Sequence, residues 1–532
     1  MPPPNPPYIC LGCRSLTRRT FSSSAPRRSQ LVRPPTAPKP TPDVKHIRKN
    51  PELYAQNCRD RNYPAHAQHP ATIQQLYDEI GEIDVNLRHP RSQIKKLEKA
   101  IAELAAAQAK NPDDATTPAA EPSIAQLRAE ATRLRSESQA QLTRQQTCDE
   151  EMQRLALSLP NLSSADTPVG DAPTLISYLN FDPAAPLPDW ASTPDPTRSH
   201  VHIGTTLGLL DFTSSATTTG WGWYFLTNEG ALLEQALIQY ALTVARRHGW
   251  KPVAPPSIVY SHIAAACGFQ PRDQHHEQQI FALEQADKDG AKPPRALAGT
   301  AEIPLAAMHA GRTFAAADLP LKLVGPSRCY RAEAGARGVD TKGLYRVHEF
   351  TKVEMFAWAD SIAAAADGSS PSSDDLFTEL LTIQTEILQS LGLPARVLEM
   401  PTFDLGASAS RKRDIEVLFP SRLRSAPDTA TVADATTQLE SAWGEVTSAS
   451  ICTDYQSRRL ATRVRDAPAQ KTKTKTKGPT RFAHTVNGTA MAVPRVLAAI
   501  LEHGWDPARE VVVVPAVLRG WMGGIEAIGK QK

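Results

Sequence analysis

Residues 328–358 read RCYRAEAGARGVDTKGLYRVHEFTKVEMFAW, a stretch that predicts two strands joined by a long loop containing glycine. We expect the first strand through Cys329–Glu333 and the second through about Leu344–Trp358. Because side chains two apart share a strand face, one face of the second strand carries Arg346, His348, Phe350, Lys352 and Glu354. The other face is mainly apolar. The charged face belongs either to a strand exposed to water or to the floor of a polar site.

Length and composition restrict the classes of protein to which the chain can belong. Its 532 residues are too many for one compact core, so two or three folding units are expected. A net charge of +3 gives no bulk sign of nucleic-acid binding, and any such contact must be local. No run of 18 apolar residues is present, which argues against a membrane span. The seven cysteines are scattered, which argues against a disulfide framework.

The first 42 residues have the composition of an organellar targeting segment. They contain no Asp or Glu and are rich in Arg and Ser, as in RTFSSSAPRRS. The alternative is a disordered basic tail. Cys10 and Cys13 have CxxC spacing, but no second pair or histidine lies at zinc-ligand spacing, so we predict no metal site there.

Residues 43–160 predict a helical arm. Apolar residues recur at alternating steps of three and four from Ile73 to Leu104, and a second helix is expected from about Ser123 to Leu159. The proline-rich segment 111–122 joins them into an antiparallel hairpin about 48 Å long. Pro90 falls on the packing seam, where it should kink the first helix. Basic side chains on both helices could meet phosphates or belong to an ordinary solvated face, and charge alone does not decide between these.

Residues 161–198 are rich in Pro, Asp and Ser and predict an irregular linker, after which residues 199–532 form a compact unit. Within that unit Asn228 is a good start for a helix that Gly249 ends. The stretch WKPVAPPSIVY predicts a strand suited to an edge or an interface. The repeat KTKTKTKG near residue 475 predicts a solvated loop.

Several blocks of this unit, in order and spacing, resemble the seryl-tRNA synthetase family. The blocks are SHVHIGTTLGLLDF, TNEGALLEQALIQYALTVARRHGWKPVAPPSIV, LAGTAEIPLAAMHAGRTF, DLGASASRKRDIEVLFPSR, GEVTSASICTDYQSRRLATR and VNGTAMAVPRVLAAILE. The opening stretch resembles the second motif of class II synthetases, and the resemblance extends over roughly residues 43–532. It implies an α+β fold, with an antiparallel catalytic sheet flanked by helices and an N-terminal helical-hairpin arm.

The resemblance also implies an ATP site, with Arg331 and Arg495 as catalytic residues. Arg331 would meet the α-phosphate and Arg495 the γ-phosphate, while Phe350 would stack on adenine. The remaining ATP-site residues implied are Ala332, Glu333, Val347, Glu445, Val446, Thr447 and Ser448. Glu445 and Ser448 would hold Mg²⁺, which prefers hard oxygen ligands.

The amino acid implied is L-serine. Thr300 and Glu302 are implied at its ammonium group and Glu354 and Thr489 at its hydroxyl end, with Ala301 and Asn487 as further residues of the serine pocket. The reaction implied is ATP-dependent attachment of serine to tRNA(Ser) through seryl-adenylate, with the arm gripping the tRNA. The resemblance further implies a homodimer in the mitochondrial matrix. Two rivals are a paralogue that has lost aminoacylation and a ligase that charges a carrier protein.

Overall fold

The computed structural model describes residues 33–110, 123–186, 190, 195–269, 279–286, 290, 292–332, 343–361, 371–423, 439–466 and 478–530. The expected targeting segment up to residue 32, Glu333 and most of the Lys-Thr repeat lie outside these ranges. Among the helices in these ranges, none has the length and apolar character needed to cross a membrane.

The N-terminal unit is the expected helical arm with a small base. Glu79 pairs with Arg144 and Glu98 with Arg135, so numbering falls along one long helix as it rises along the other, and the two are antiparallel. Buried Ile73, Met152 and Leu155 pack at the base. The helices of this unit are α1 Val44–Lys49, α2 Pro51–Asp60, α3 His69–Lys110 and α4 Ile124–Ser158.

Pro90 lies inside α3, and the helix continues through it. A proline in a helix interior removes one backbone hydrogen bond, so the surrounding turn needs other support. Arg91 supplies some of it, because its guanidinium donates to Asp84 at 2.9 Å and to Gln145 of α4 at 3.2 Å. Leu87 next to this site is buried. The tertiary packing against α4 therefore keeps the arm helical past the proline.

A large sheet of eight described strands organises the rest of the chain. The strands are β1 Thr174–Leu179, β4 Lys251–Pro252, β8 Leu321–Tyr330, β9 Glu349–Ala359, β10 Ala395–Glu399, β11 Arg411–Leu418, β12 Trp443–Thr453 and β15 His484–Ala492. Their order is β1-β10-β11-β12-β15-β9-β8-β4, and every neighbouring pair is antiparallel except β4 with β8. The expected α+β architecture is confirmed.

One strand of this sheet comes from the segment predicted to be an irregular linker. β1 pairs with β10 from Thr174↔Glu399 to Leu179↔Ala395. The prediction of irregular structure was wrong here because an edge strand needs only one paired side and little burial. Four of its six residues are exposed, so the apolar alternation that marks a strand is weak.

Helices cover both faces of the sheet. Those after the arm are α5 His200–Thr206, α6 Phe212–Thr218, α7 Asn228–Arg247, α8 Ser261–Ala266, α9 Glu302–Ala307, α10 Ser373–Ser390, α11 Tyr455–Leu460, α12 Val493–Gly504 and α13 Ala516–Arg519. The larger core joins one face to α7, α10 and α12 through residues such as Leu237, Leu380 and Leu497. The smaller core joins the other face to α8, α9 and α11 through Ile263, Ile303 and Leu460.

The short strands that the structure describes outside the large sheet form four small ribbons. Their bounds are β2 Leu210–Asp211, β3 Phe225–Leu226, β5 Ile258–Tyr260, β6 Arg295–Leu297, β7 Thr313–Ala315, β13 Arg463–Arg465, β14 Thr480–Phe482, β16 Trp505–Asp506, β17 Val511–Val513 and β18 Ala527–Ile528. They pair as β2 with β3, β5 with β6, β13 with β7 and β14, and β17 with β16 and β18.

The two strands of the opening stretch exist, but with different bounds. β8 ends at Tyr330, and β9 begins at its partner Glu349 rather than near Leu344. Gly343, at φ +77, begins a turn that precedes β9. Arg346 and His348 therefore precede the strand, and the alternation extrapolated to them does not hold. His348 instead packs among Trp221, Trp223 and Phe281.

Candidate active site

An open cleft lies over the middle of the large sheet. The polar face of β9 forms part of its floor, which rules out a strand exposed to water as the role of that face. Residues from β12, β15 and the start of α12 complete the walls. The cleft is lined by Arg331, Tyr345, Arg346, Val347, Phe350, Lys352, Glu445, Val446, Thr447, Ser448, Thr489, Ala492, Pro494 and Arg495.

Arg331 and Phe350 form one side of the cleft. Arg331 follows the last residue of β8, and its backbone N–H donates to the carbonyl of His348 at 2.9 Å. The guanidinium carbon lies 5.3 Å from the centre of the Phe350 ring. A planar cation beside an aromatic face can hold a phosphate and a flat base at neighbouring positions.

A β-bulge sets the opposite wall. The register between β11 and β12 shifts from Ile415↔Thr447 to Glu416↔Glu445, which leaves Val446 as the extra residue. Without a bulge, side chains three apart would lie on opposite faces. Here Val446 packs in the core, while Glu445 and Ser448 both line the cleft. The bulge therefore brings a carboxylate and a hydroxyl to the same face.

The pKa of Glu445 lies well below neutral pH, so this carboxylate is ionised there. Burial alone would raise its pKa, but the positive charges of Arg495, Lys412 and Arg331 outweigh burial and lower the pKa to about 2. Arg495 makes an ion pair with this carboxylate at 3.1 Å. A carboxylate held ionised beside a hydroxyl provides two of the hard oxygen ligands that Mg²⁺ prefers.

Arg495 lies in the first turn of α12, held by backbone carbonyls on both sides of the cleft. Its Nε donates to the carbonyl of Tyr345 at 3.1 Å and one terminal nitrogen donates to that of Glu445 at 2.9 Å. The guanidinium carbon lies 4.6 Å from the Tyr345 ring centre. These contacts hold the cation in a fixed place at the cleft wall.

Beneath the cleft lies a smaller cluster of buried polar side chains. Thr300 Oγ1 donates to Glu354 Oε2 at 3.1 Å and accepts from the backbone N–H of Glu302 at 3.3 Å. Thr489 is the direct partner of Glu354 on the neighbouring strand β15. These four side chains are at most 7 % exposed. Two carboxylates and two hydroxyls in so small a space can bind a compact molecule bearing an ammonium group and a hydroxyl.

The two carboxylates of this cluster have different electrostatic environments. Glu354 makes a 2.5 Å ion pair with Lys352, which also lines the cleft above. Burial, and then the negative charge of Glu354, raise the pKa of Glu302 to about 8. The side-chain amide of Gln456 donates to Glu302 at 2.6 Å and partly opposes that rise. Within the described residues Glu302 makes no ion pair, so a bound ammonium group would supply its direct counter-charge.

The predicted site residues fall into three groups. Those named above line the cleft or the buried cluster, as do Val347, Val446 and Thr447. Ala301, Ala332 and Asn487 lie beside them: Ala301 is buried before α9, Ala332 follows Arg331, and Asn487 accepts from the Cys452 thiol at 3.3 Å. Glu333 lies outside the described residues, so its role stays a prediction.

Three polar side chains of the site were missed by the sequence reasoning. Lys352 was placed on the correct face without a role. Gln456 was not singled out at all. Gln384 of α10 approaches from the opposite face and donates to the carbonyls of Ser448 and Thr489 at 2.8 and 2.9 Å. Gln384 could have been found, because it interrupts the apolar side of α10 between Leu380 and Ile387 at helical spacing.

Comparison with known proteins agrees with this geometry. Residues 43–163 match the seryl-tRNA synthetase N-terminal domain, and residues 286–504 match the class II tRNA synthetase core domain (G, H, P, S and T). The chain is 41% identical over 369 residues to the mitochondrial serine–tRNA ligase of Saccharomyces cerevisiae, covering 69% of this chain and 72% of that protein. The chain belongs to the seryl-tRNA synthetase family.

Further members of the family resemble the chain over most of its length. The mitochondrial serine–tRNA ligase of Schizosaccharomyces pombe is 36% identical over 463 residues, which are 87% of this chain and 84% of that one. The seryl-tRNA synthetase of Pyrococcus horikoshii, solved in complex with ATP, superposes with a TM-score of 0.70 at 28% identity. That superposition covers 92% of this chain and 100% of the other. The family's arm and core are therefore both present here.

Proposed function

We infer that this seryl-tRNA synthetase family member is an active serine–tRNA ligase: it uses ATP to attach L-serine to tRNA(Ser) through seryl-adenylate. The observation that carries this is the position of the buried Thr300–Glu302–Glu354–Thr489 cluster, directly beneath a cleft walled by Arg331 and Arg495. The shared Lys352–Glu354 ion pair joins the two compartments. An amino acid and a nucleotide can thus lie with their reacting groups side by side.

Serine would be selected by its own polar groups. The carboxylate of Glu302 takes the ammonium group, and Glu354 with Thr489 takes the hydroxyl. A buried site built on hydrogen bonds discriminates strongly against an analogue that lacks the hydroxyl, because its polar groups are then left unpaired. Alanine should therefore be rejected by the loss of these bonds.

ATP would bind in the cleft above. Phe350 gives its adenine a stacking surface, Arg331 reaches the α-phosphate and Arg495 the γ-phosphate. The serine carboxylate then attacks the α-phosphorus, forms the P–O bond of seryl-adenylate and displaces pyrophosphate. Because this chemistry gains charge on the phosphate oxygens, fixed guanidinium groups lower its barrier mainly by position and charge.

Mg²⁺ fits the oxygen pair of Glu445 and Ser448. In the part of the chain that the structure describes, no group of three or more His, Cys, Asp or Glu side chains is arranged to hold a metal. An ion with only two protein ligands would complete its shell with phosphate oxygens and water, as Mg²⁺ commonly does. When bound, it would neutralise phosphate charge. The protein's part is to keep Glu445 ionised and on the cleft face.

The tRNA would contact the arm. On α3 and α4 most of the arginines are already paired, as Arg133 is with Glu130 and Glu137 and Arg144 is with Glu79. Lys95, Lys96 and Arg128 are exposed and, within the described part of the arm, make no ion pair. Unpaired basic side chains at the surface are available to RNA phosphates.

The remaining features are proposals of the same kind. We keep the divisions at 43–160 for the arm, 161–198 for the linker and 199–532 for the catalytic unit, with β1 as the part of the linker that joins the catalytic sheet. A homodimer would form through α7 and β5, where Leu232, Ile258 and Tyr260 are exposed apolar side chains. The mitochondrial relatives support a mitochondrial enzyme, and we propose the matrix, because mitochondrial translation takes place in it.

Two assays on the purified protein test the proposed function. Serine-dependent exchange of labelled pyrophosphate into ATP measures adenylate formation, and charging of tRNA(Ser) measures transfer. Activity in both supports a serine–tRNA ligase. Exchange without charging would indicate the carrier-protein ligase, and neither activity in a folded protein would indicate a paralogue that has lost catalysis.

A further inference from the structure

The buried cluster of Thr300, Glu302, Glu354 and Thr489 is here named the serine cluster. The short helix α11 (Tyr455–Leu460) lies between this cluster and the base of the arm. We propose that α11 couples the docked arm to serine binding, with Gln456 as a positioning residue for Glu302 and Arg459 as the arm anchor. This inference rests on the proposed function. It adds a mechanical link between two sites that the function by itself leaves independent.

Gln456 forms the end of this link in the serine cluster. Its Nε2 donates to Glu302 Oε1 at 2.6 Å, and the two side chains are only 1 % and 7 % exposed. The other amide atom, Oε1, has no hydrogen-bond partner among the described residues. The hydrogen bond to Glu302 therefore fixes how this amide points, and it orients the carboxylate that receives the ammonium group.

Arg459 forms the end of the link at the arm. One of its terminal nitrogens donates to the carbonyls of Leu157 and Leu159 at 3.0 and 3.3 Å. α4 ends at Ser158, so the carbonyl of Leu157 belongs to its last turn and that of Leu159 to its C-cap, where the helix end carries partial negative charge. Arg459 is 7 % exposed, and no ion pair to a carboxylate is found for it within the described residues. Its charge is therefore directed at the end of the arm.

The neighbouring residue strengthens the same contact. Arg458 makes a 3.0 Å ion pair with Asp43, whose side chain caps the start of α1. The carbonyl of Arg458 accepts from the backbone N–H of Thr41 at 2.9 Å. α11 is thus attached to both the first helix and the last helix of the N-terminal unit.

α11 can transmit displacement because it is short and fixed at both ends. Gln456 and Arg459 are three residues apart and therefore neighbours on the helix surface. Leu460 packs with Ile303 of α9, and its carbonyl accepts from the backbone N–H of Gly311 at 2.7 Å. A shift of the arm base that pulls on Arg459 must therefore move Gln456 relative to Glu302. The arm could in this way change the affinity for serine even when no tRNA is bound.

The experiment measures pyrophosphate exchange without tRNA, in the full-length protein. Arg459→Met removes the hydrogen bonds to Leu157 and Leu159 of the arm, together with one to the carbonyl of Tyr455 within α11. We expect the KM for serine to rise about fivefold or more while the KM for ATP changes less than about twofold. Gln456→Leu should raise the KM for serine by a similar or larger factor, again with little change in the KM for ATP. Because both variants break one link, the double variant should be less impaired than the product of the single effects.

Arg411→Met is the matched control. Arg411 also binds two parts of the chain, Glu399 and Asp166, at 2.9 and 2.8 Å, but does not contact α11. It should leave the KM for serine unchanged. If Arg459→Met does not fold, Arg459→Lys keeps the charge but cannot bind the arm carbonyls and the carbonyl of Tyr455 through two separate nitrogens, and should show a smaller rise.

Two results would overturn the coupling. One is a folded Arg459 variant with the wild-type KM for serine, and the other is an equal rise in both KM values that Arg411→Met reproduces. Wild-type protein without any serine-dependent exchange would instead contradict the proposed function itself. The two failures are therefore distinguishable.

Discussion

At the scale of single residues, Glu302 has the most unusual environment of the serine cluster. It is buried beside a second carboxylate, and its pKa is raised to about 8. In the free enzyme at neutral pH it therefore carries a proton for much of the time. In the proposed site, binding of an ammonium group requires the ionised form, so serine binding should release that proton.

This predicts a pH dependence of serine use. As pH rises through about 8, Glu302 loses its proton and the ammonium site gains its counter-charge. Below the pKa, kcat/KM for serine in pyrophosphate exchange should fall by up to about tenfold per pH unit. In contrast, kcat/KM for ATP, measured at saturating serine, should not change around the pKa of Glu302. Glu302→Gln should abolish it, and an unchanged profile in that variant would contradict the assignment.

Arg331 supports the second residue-scale prediction. Arg331→Ala removes the guanidinium beside Phe350 but leaves the arm untouched. Loss of a fixed group that stabilises transition-state charge typically costs about 100- to 1000-fold in rate, so exchange should fall by that much or more. Binding of tRNA(Ser), measured by filter retention, should remain nearly unchanged. A collapse of tRNA binding would show that arm and site are not separable in this way.

At the scale of elements, two irregularities decide how the site is built. The bulge at Val446 brings Glu445 and Ser448 to one face of β12, and a second register shift at Ala490 in β15 follows Thr489. On the arm, α3 continues through Pro90 because α4 packs along it. Each case is a departure from regular geometry that neighbouring elements stabilise.

The arm supports a prediction at this scale. Replacing Lys95 and Lys96 with Glu should weaken tRNA(Ser) binding and reduce the slope of log K against log salt by about 1 for each phosphate that the variant no longer neutralises. Exchange without tRNA should be unaffected. Lys99→Glu is a suitable comparison, since Lys99 already lies 3.7 Å from Glu103. An unchanged salt slope in the double variant would place the RNA elsewhere.

At the scale of the whole molecule, the arm and the catalytic unit are joined by specific polar contacts. Besides α11, Arg61 of the arm base donates to the carbonyl of Asn161 in the linker and to that of Gly406 in the catalytic unit. The exposed apolar side chains of α7 and β5 lie on the catalytic unit, where they would be covered in a dimer.

The proposed dimer interface can be tested by placing a charged side chain in it. Ile258 is 51% exposed on β5, and Ile258→Asp should place an unpaired carboxylate in the interface. Sedimentation velocity should then show a monomer where the wild type is a dimer. Leu53→Asp changes a similarly exposed apolar residue on the arm base and should leave the dimer intact. A variant of Ile258 that remains dimeric would exclude this surface.

The sequence determined the class of fold, the family and most of the site's residue types. Heptad spacing was sufficient to predict the helical hairpin. The order of the motifs was sufficient to predict that Arg331, Glu302, Glu445 and Arg495 lie near one another in a site. Both signals are local in the chain. The edge strand β1 was not predicted, since its pairing with β10 involves residues more than 200 positions away.

Only the tertiary structure decided how the polar face of β9 is used. A strand pattern records which side chains share a face but not what covers that face. The fold covers it with the wall built by the β12 bulge, the first turn of α12 and the turn before β9. Lys352 thereby pairs with Glu354 inside the site, and His348, expected beside it, packs among aromatic rings instead. Contacts between distant segments such as Gln456 with Glu302 leave no trace in local spacing, and these contacts complete the serine cluster.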